Sequence, residues 1–315
     1  MMREHERAID ILVLSEINPD LVLHGTSVEP VFGQVEKLVD GADLTIGGSG
    51  TIFACGSARL GLATSVSGLV GDDAFGRFMI DQLSARGVDV DGVVISASAT
   101  TGLTVILNRG EDRAILTHTG AMAGMTTDLV DPSLLRRARH VHISSYFIQI
   151  GLHTGLPGLL REFRSHGGTV SLDTNWDPNE RWQAGVHELL AEVDILMPNE
   201  AEACALAGVD DAGRAAAILT RQGPDVVVKC GARGAFLQSG DIHLSTGSIA
   251  VDVVDSTGAG DSFDAGYLYG TLGGLDPLEC LRLAAVCGAL STRAMGGTIA
   301  QPTLEEARTA AGALT

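Results

Sequence analysis

Short runs of apolar and β-branched residues alternate with helix-like segments along most of the 315-residue chain. The runs are apolar at consecutive positions rather than at every second one, which is typical of strands buried on both faces of a parallel sheet. The alternation therefore predicts a doubly wound α/β fold, with a mostly parallel sheet between two layers of helices. The predicted strands are residues 11–16, 62–71, 140–145, 168–173, 193–199 and 225–231. The predicted helices include residues 53–61, 75–87, 156–167 and 200–208.

Two segments interrupt this alternation. Residues 21–39 and 101–120 each indicate a β-hairpin, and the second is expected to turn at residues 108–112. Neither segment has room for a helix between its strands. We therefore expect one domain, residues 1–315, with a small discontinuous sheet formed by about residues 19–46 and 98–120 that acts as a lid. Two ordinary edge hairpins are the alternative.

The charge of the chain limits its partners. The formal net charge is −18, and only Lys37 and Lys229 are lysines among the 21 basic residues. Such a surface repels nucleic acids and anionic membranes, so neither is expected as a partner. A site for an anion would be built from backbone N–H groups, arginines or a metal ion. An acidic surface that keeps the protein in solution explains the same charge without any function.

The cysteines and the first residues bear on the compartment. Five scattered cysteines without a CxxC pair predict reduced thiols and a cytoplasmic protein, rather than disulfides or a zinc site. Residues 1–16 carry charge and only a short apolar run, which is unlike a secretory signal. No apolar run reaches the ~20 residues that span a bilayer.

The stretch DSTGAGDSF, residues 255–263, joins a predicted strand to a predicted helix. Glycine lets a ligand approach the backbone closely, and the first N–H groups of a helix, with its dipole, favour an anion. This turn therefore predicts a phosphate site that needs no lysine. Asp261 would be either a helix N-cap or a general base for an attacking hydroxyl, and the residues alone leave both roles open.

Motifs of several other enzyme classes are missing. The sequence contains no GxxxxGK[ST] P-loop, no GxSxG, no GxGxxG and no HExxH. His140 and His142 alternate along a predicted strand, which is more typical of packed or hydrogen-bonded side chains than of metal ligands.

Taken in order, the motifs resemble those of the ribokinase-like (PfkB) family of sugar and nucleoside kinases. DSTGAGDSFDAG resembles the family's C-terminal signature, and GGSGTIFACGSARLG, residues 47–61, resembles its N-terminal diglycine signature. The resemblance covers nearly the whole chain and implies a ribokinase-like fold with a β-sheet lid and with ATP and Mg²⁺ as cofactors. Further elements in the family's order are ILVLSEINPDL (11–21), GLVGDDAFG (68–76), VDILMPNEAEA (193–203) and VVVKCGARGAF (226–236).

The resemblance implies catalytic and metal-binding residues. Asp261 would deprotonate the acceptor hydroxyl. Glu202, helped by Asn199, would hold Mg²⁺ largely through water, and a helix first-turn acid is the alternative for Glu202. The anion hole for the transferred phosphoryl group would be formed by Gly258, Ala259 and Gly260.

The same resemblance implies binding residues and an assembly. Asp255 would mark a K⁺ site, and the lid would also be the surface of a homodimer. For Asn18 and Asp20 a simple turn is the alternative. The sugar would be bound by Asn18, Asp20, Gly47 and Gly48. The nucleotide would be bound by Lys229, Gly231, Gly234 and Thr257.

Two features concern the choice of substrate. Ile52 stands where the family usually has a sugar-binding asparagine, which predicts a substrate that is less polar on that side. Residues 171–182 resemble the D-x-N stretch of sugar-acid kinases, although Arg181 does not occupy the position of their arginine.

The sequence thus predicts an ATP-dependent kinase that phosphorylates a hydroxyl, the primary one, of a sugar or sugar acid. A nucleoside kinase is the alternative within the family. A nucleotide-binding oxidoreductase on a doubly wound sheet is the alternative outside it.

Overall fold

The computed structural model describes residues 8–26, 28–109 and 112–314. The strands in these ranges are β1 (Ile9–Leu14), β2 (Pro19–His24), β3 (Gly41–Ile46), β4 (Thr64–Gly71), β5 (Asp89–Ser96), β6 (Leu103–Arg109), β7 (Asp112–His118), β8 (Ala138–Ile143), β9 (Thr169–Leu172), β10 (Ile195–Leu196), β11 (Asp225–Lys229), β12 (Ala235–Ser239) and β13 (Ile242–Thr246). The α-helices are α1 (Ser49–Arg59), α2 (Ala74–Ala85), α3 (Pro132–Arg137), α4 (Leu156–Ser165), α5 (Val186–Leu189), α6 (Glu200–Ala207), α7 (Ala212–Leu219), α8 (Ala259–Leu272), α9 (Pro277–Ser291) and α10 (Leu304–Ala311).

Nine strands form the main sheet, in the order β13-β12-β11-β10-β9-β8-β1-β4-β5. Neighbours from β11 to β5 pair in parallel, and β12 and β13 extend one edge antiparallel. This confirms the predicted mostly parallel sheet, and each of the six predicted strands overlaps an observed one. Strand β5 at the other edge is absent from the prediction, because two aspartates and Gly92 interrupt its apolar run.

Helices cover both faces of this sheet. Along β1, Ile11 and Val13 point into one core, while Leu12 and Leu14 point into the other. The first core is completed by α1, α2, α8, α9 and α10, and the second by α3 to α7. The side-chain alternation of a strand thus builds the three layers that the sequence predicts.

A second sheet of four strands has the order β3-β2-β6-β7. Strands β6 and β7 form the predicted hairpin, although its predicted turn at residues 108–112 includes residues 110–111, which lie outside the described ones. The hairpin predicted at residues 21–39 is wrong, because β2 pairs with β3 at residues 41–46. The apolar residues between the two strands include Phe32 and Leu38, which are 95% and 86% exposed.

Two neighbouring rows of the small sheet differ in chemistry. Leu44, Leu21, Val105 and Leu116 are paired in register and form an apolar row across the four strands. Leu44 and Leu116 are 39% and 61% exposed. The row one residue further along the strands lies on the opposite face and is polar, and it consists of Thr45, Asp20, Thr104 and Thr117.

The cysteines and the helices bear on two further sequence expectations. All five cysteines are free thiols. Within the described ranges, none of the helices combines the length and the apolar character needed to cross a bilayer.

Candidate active site

Several polar residues follow the strands of the main sheet where they end. Strands β1, β8, β9 and β11 run parallel, so their carboxyl ends meet at the same edge, where ligands of α/β sheets gather. The N-termini of α1 and α8 contribute Ser49 and Asp261 to the same region. The residues at the strand ends are Glu16, Ser145, Asp173 and Lys229.

The anion turn, residues 255–261, leads into α8. Gly258 is the N-cap of this helix with a φ of 71°, and a Cβ atom there would lie 2.7 Å from Ile52 Cγ2. The position therefore requires glycine. Ile52 packs behind this glycine and is only 3% exposed. The N–H of Ala259 contacts Ser256 O at 3.3 Å, and the first N–H groups of a helix otherwise lack partners within it.

Side chains hold the anion turn from two directions. Asp255 Oδ1 accepts hydrogen bonds from the N–H and the hydroxyl of Thr257, at 2.9 and 2.7 Å. Its Oδ2 accepts the N–H of Gly296 at 2.9 Å. On the other side Arg113, from strand β7 of the small sheet, donates to Thr257 Oγ1 at 2.8 Å. The small sheet therefore touches the turn directly.

Asp261 is the third residue of α8 and is 8% exposed. Since Gly258 is the N-cap and makes no side-chain bond, the structure does not support the N-cap role for Asp261. Burial raises the pKa of Asp261 to about 8, and the charge of Asp173 adds to the rise. A hydrogen bond from the Ser49 hydroxyl to Oδ1 acts in the opposite direction. A carboxyl group that titrates near neutrality can both take up and release a proton.

Glu16 belongs to this site and is missing from the sequence prediction. It is 2% exposed, and its carboxylate accepts the N–H of Ser49 and the hydroxyl of Ser145, both at 2.6 Å. Burial raises the pKa of Glu16. Glu16 thus anchors the start of α1, and with it the serine that binds Asp261. An acid directly after a buried strand, in SEINPD, is the signal that could have indicated it.

The predicted sugar residues lie together beside the small sheet. Asn18 Nδ2 donates to Asp20 Oδ1 at 3.3 Å and to Thr104 Oγ1 at 3.1 Å. The N–H of Gly47 donates to Asn18 O at 3.1 Å, and a Cβ atom on Gly47 would overlap the Asp20 carboxylate. Burial and the charge of Glu16 together raise the pKa of Asp20 to about 7. Because Asp20 lies within β2, a simple turn does not describe it.

Asn199 and Glu202 form a capping box at the start of α6. Asn199 Oδ1 accepts the N–H of Glu202 at 2.9 Å, and Glu202 Oε2 accepts the N–H of Asn199 at 2.8 Å. The structural alternative for Glu202 is therefore present. Burial nevertheless raises its pKa to about 7, and the charge of Asp173 contributes, so Glu202 lies close to the acids of the site.

The residues predicted to bind the nucleotide near β11 lie in two places, the turn after the strand and the end of the strand itself. Gly231 and Gly234 bracket a short turn after β11, with φ values of 57° and 92°. Lys229 lies at the end of β11, where its ammonium contacts Asp173 at 2.7 Å and Asp264 at 3.1 Å. Its side chain is 12% exposed.

The loops after β8 and β9 carry backbone strain. Ser145 and Asn175 have φ values of 49° and 53°, and Asn175 Nδ2 donates to Ser145 Oγ at 3.2 Å. Non-glycine residues in this conformation cluster at functional sites. Arg181 is exposed, and its backbone N–H donates to Asp177 Oδ2 at 2.8 Å.

Comparisons with known proteins all point to the same family. The model of the pfkB family carbohydrate kinases matches residues 8–304. A protein of Archaeoglobus fulgidus, described as an uncharacterized sugar kinase, is 32% identical over 231 residues, which are 72% of this chain and 90% of that protein. The 2-dehydro-3-deoxygluconokinase of Bacillus subtilis is 28% identical over 83% of this chain and 85% of its own length. An E. coli protein assigned as ribokinase II, in complex with ATP and Mg²⁺, superposes with a TM-score of 0.85 at 27% identity, over 97% of this chain and 99% of that one.

Proposed function

Because the chain belongs to the pfkB family of carbohydrate kinases, we propose that it transfers the γ-phosphoryl group of ATP to a hydroxyl, the primary one, of a sugar or sugar acid. The observation that carries this proposal is the hydrogen bond between Ser49 and Asp261, which joins the diglycine turn to the anion turn at one buried carboxyl group. Family membership removes the oxidoreductase alternative.

The acceptor would lie between the main sheet and the small sheet. Asn18 and Asp20 present an amide and a carboxyl group there. Gly47 makes room for the Asp20 carboxylate, and Gly48 would let the sugar approach the backbone. Thr104 ties this set to strand β6 of the small sheet. Closure of the small sheet as a lid would exclude water, which otherwise competes for the phosphoryl group. The Arg113–Thr257 hydrogen bond supports this role, because it links that sheet to the anion turn.

Asp261 would act as the general base. Its carboxylate takes the proton of the acceptor hydroxyl as the oxygen attacks the γ-phosphorus, and the Ser49 hydroxyl holds the carboxylate in place. The N–H groups of Gly258, Ala259, Gly260 and Asp261 would stabilise the charge on the transferred group. Losing one such donor typically costs ~3 kcal/mol of transition-state stabilisation.

Nucleotide and metal would approach from the β11 side. The nucleotide would be bound by Gly231, Gly234 and Thr257, and Lys229 would lie beneath the anion turn. Glu202 fits a magnesium site that is held through water, because Oε2 serves the capping box and Oε1 takes no part in it. Among the described residues no three acidic, histidine or cysteine side chains converge as direct ligands, which agrees with such a site. When bound, Mg²⁺ would neutralise charge on the phosphates.

Two finer features of the family are also proposed. Asp255 is the candidate K⁺ residue next to the anion turn, and a rise of turnover with K⁺ but not with Na⁺ would support it. The apolar row of the small sheet, with Leu116 61% exposed, supports a homodimer through the lid.

The acceptor region favours a neutral sugar over a sugar acid. Glu16, Asp20 and Asp261 are all buried there, and a carboxylate substrate would be repelled by any of them that is ionised. Arg181, the basic residue of the D-x-N stretch, is exposed rather than directed at these acids.

A screen for ADP release tests the proposal. Wild-type protein with Mg²⁺-ATP is offered neutral sugars, sugar acids and nucleosides, each with and without K⁺. We expect ADP release with a neutral sugar, whereas release with nucleosides alone would favour the nucleoside-kinase alternative. Asp261→Asn should lower kcat by ~10²-fold or more while ATP affinity stays the same, the scale of general-base catalysis. An unchanged kcat would remove Asp261 as the base.

A further inference from the structure

A buried ion cluster lies beneath the anion turn. The ammonium of Lys229 is 2.7 Å from Asp173 Oδ2 and 3.1 Å from Asp264 Oδ2. The side chains of Asp173 and Asp264 are 2% and 1% exposed. Burying three ionisable groups costs hydration free energy that their attraction does not reliably return, so stability alone is a weak reason for this cluster.

The cluster joins three separate elements. Lys229 ends β11, Asp173 follows β9, and Asp264 lies on α8 three residues after Asp261, hence on the same side of the helix. A Cβ atom on Gly260 would lie 3.5 Å from Lys229 Nζ, so the amine also packs against the anion turn. The first turn of α8 is thereby connected to the carboxyl ends of two strands.

The charges within the cluster balance. Burial would lower the pKa of Lys229, but Asp173 and Asp264 raise it overall, so the amine stays protonated. Burial raises the pKa of Asp264 despite the nearby ammonium, which leaves Asp173 as the ionised partner. Asp261 is exposed to the charges of Asp173 and Glu16 from the sheet, which the charge of Lys229 opposes, and it shares its helix with the carboxyl group of Asp264.

We propose that Lys229 is a positioning residue, which holds the first turn of α8 in place and offsets the negative charge around Asp261. The inference rests on the kinase function proposed above and deepens it, because Lys229 acts through the anion turn rather than by contact with ATP. A lysine suits this role, since its compact ammonium carries three donors on a flexible stem and can bind two carboxyl groups at once.

Lys229→Met is the first test, with Arg139→Met as the matched control. Arg139 also forms a partly buried ion pair, 2.9 Å from Asp10, but at the start of strands β8 and β1 and not at their carboxyl ends. For Lys229→Met we expect kcat to fall by ~10-fold or more with the KM for ATP and for the acceptor within ~2-fold, the pattern of an interaction realised in the transition state. Since the base must be ionised, the rising limb of kcat against pH should move to higher pH. The control should change neither quantity.

A second pair of variants guards against misfolding. Asp264→Asn keeps a neutral group that can donate to Asp173 and accept from Lys229, whereas Asp264→Leu removes both contacts. Asp264→Asn should therefore retain most of the kcat that Asp264→Leu loses. Equal losses in the two variants would contradict the proposal.

Hydrogen exchange measures how firmly Lys229 holds the first turn of α8, independently of turnover. The backbone amides of residues 258–264 should exchange faster in Lys229→Met than in wild type or in Arg139→Met, and unchanged exchange would overturn the proposal. So would a folded Lys229→Met protein with wild-type kcat and pH profile, or one with a raised KM for ATP at constant kcat, which would show direct contact with the nucleotide. Wild-type protein that phosphorylates no acceptor contradicts the kinase function, while the exchange data still decide on the connection.

Discussion

Ser49 links the two glycine-rich turns of the site at the level of a single residue. Its N–H donates to Glu16 and its hydroxyl donates to Asp261. The first bond fixes where α1 begins, and the second opposes the rise that burial causes in the pKa of Asp261, which is about 8. One residue, through its backbone and its side chain, thus helps to position the proposed base and to limit its pKa.

Replacing Ser49 separates these two effects. Ser49→Ala keeps the N–H that binds Glu16 but loses the hydroxyl, so the pKa of Asp261 should rise above its present value. The base then ionises at higher pH, and the rising limb of kcat against pH should shift upward, with turnover partly recovered under alkaline conditions. Ser49→Thr keeps a hydroxyl and serves as the control. An identical pH profile for Ser49→Ala and wild type would contradict the role of this hydrogen bond.

The sequence predicts individual site residues only where their chemistry is local. The anion turn can be recognised because its glycines, its aspartate and the following helix are adjacent in the chain. Ser49 and Asp261 are separated by 212 positions, and the acids around Lys229 meet only because helix α8 packs where parallel strands end at one edge of the sheet. No local pattern gives that proximity, which explains why Glu16 and Asp264 are missing from the prediction.

At the scale of elements, two helices begin with the same capping box. In α6 it is formed by Asn199 and Glu202, and in α10 by Thr303 and Glu306. Hydrogen bonding lowers the pKa of Glu306, while burial raises that of Glu202 to about 7. The same cap therefore stands in two electrostatic settings, and only the one near the acids of the site would gain from a cation.

This duplication provides an internal control for the metal role. Gln can replace Glu in a capping box, so Glu202→Gln and Glu306→Gln should both fold with little change in stability. Only Glu202→Gln should require more Mg²⁺ to reach half-maximal turnover, because it loses the charge that would orient the water ligands. The measurement is a Mg²⁺ titration of initial rates. Matching titrations for the two variants would assign Glu202 to capping alone.

Strand β8 carries two histidines that the fold keeps neutral. Burial lowers the pKa of both His140 and His142 to about 3. His140 contacts Ser171 Oγ at 2.7 Å, and His142 stacks on Phe53 with ring centroids 3.9 Å apart. As the sequence predicts, the two side chains are packed and hydrogen-bonded.

These histidines should reduce stability in acid. Above the pKa of about 6.5 that a histidine has in the unfolded chain, the neutral ring adds nothing to the cost of folding. As the pH falls from there toward the pKa near 3 of the folded protein, each buried ring lowers the free energy of unfolding. Buried acids such as Asp261 act in the opposite direction, so the comparison of wild type with His142→Phe isolates one ring. Between pH 8 and pH 5 the free energy of unfolding of wild type should fall by about 2 kcal/mol relative to the variant. Urea unfolding at the two pH values measures it, and parallel behaviour would contradict the burial argument.

The sequence predicts a strand well where both of its faces are buried. It predicts a strand poorly where the partner strand lies far along the chain. The central strands have continuous apolar runs, because both faces contact helices. Residues 31–39 also carry regularly spaced apolar residues, yet Val31, Phe32 and Leu38 are largely exposed in a connection. Strand β2 takes its antiparallel partner from residues 41–46 instead, a choice made by tertiary pairing that local propensity does not contain.

At the scale of the whole molecule, the small sheet carries a polar row on one face and an apolar row on the other. Its polar row contains Asp20 and Thr104, which contact Asn18. Its apolar row runs across all four strands and leaves Leu44 and Leu116 exposed by 39% and 61%. In a chain with a net charge of −18, such an uncharged surface is also where two copies could approach with the least repulsion.

A charge on the apolar row should therefore separate the copies. Leu116→Glu would bury a carboxylate in the contact between two small sheets, so a dimeric wild-type protein should become monomeric. Ile242, 58% exposed on β13 at the far edge of the main sheet, gives the matched control, and Ile242→Glu should stay dimeric. Sedimentation velocity measures both. A monomeric wild type, or dimers in both variants, would exclude the lid as the interface. If the dimer also steadies the lid, Leu116→Glu should raise the KM of the acceptor more than that of ATP, because Asp20 and Thr104 belong to the small sheet and the anion turn does not.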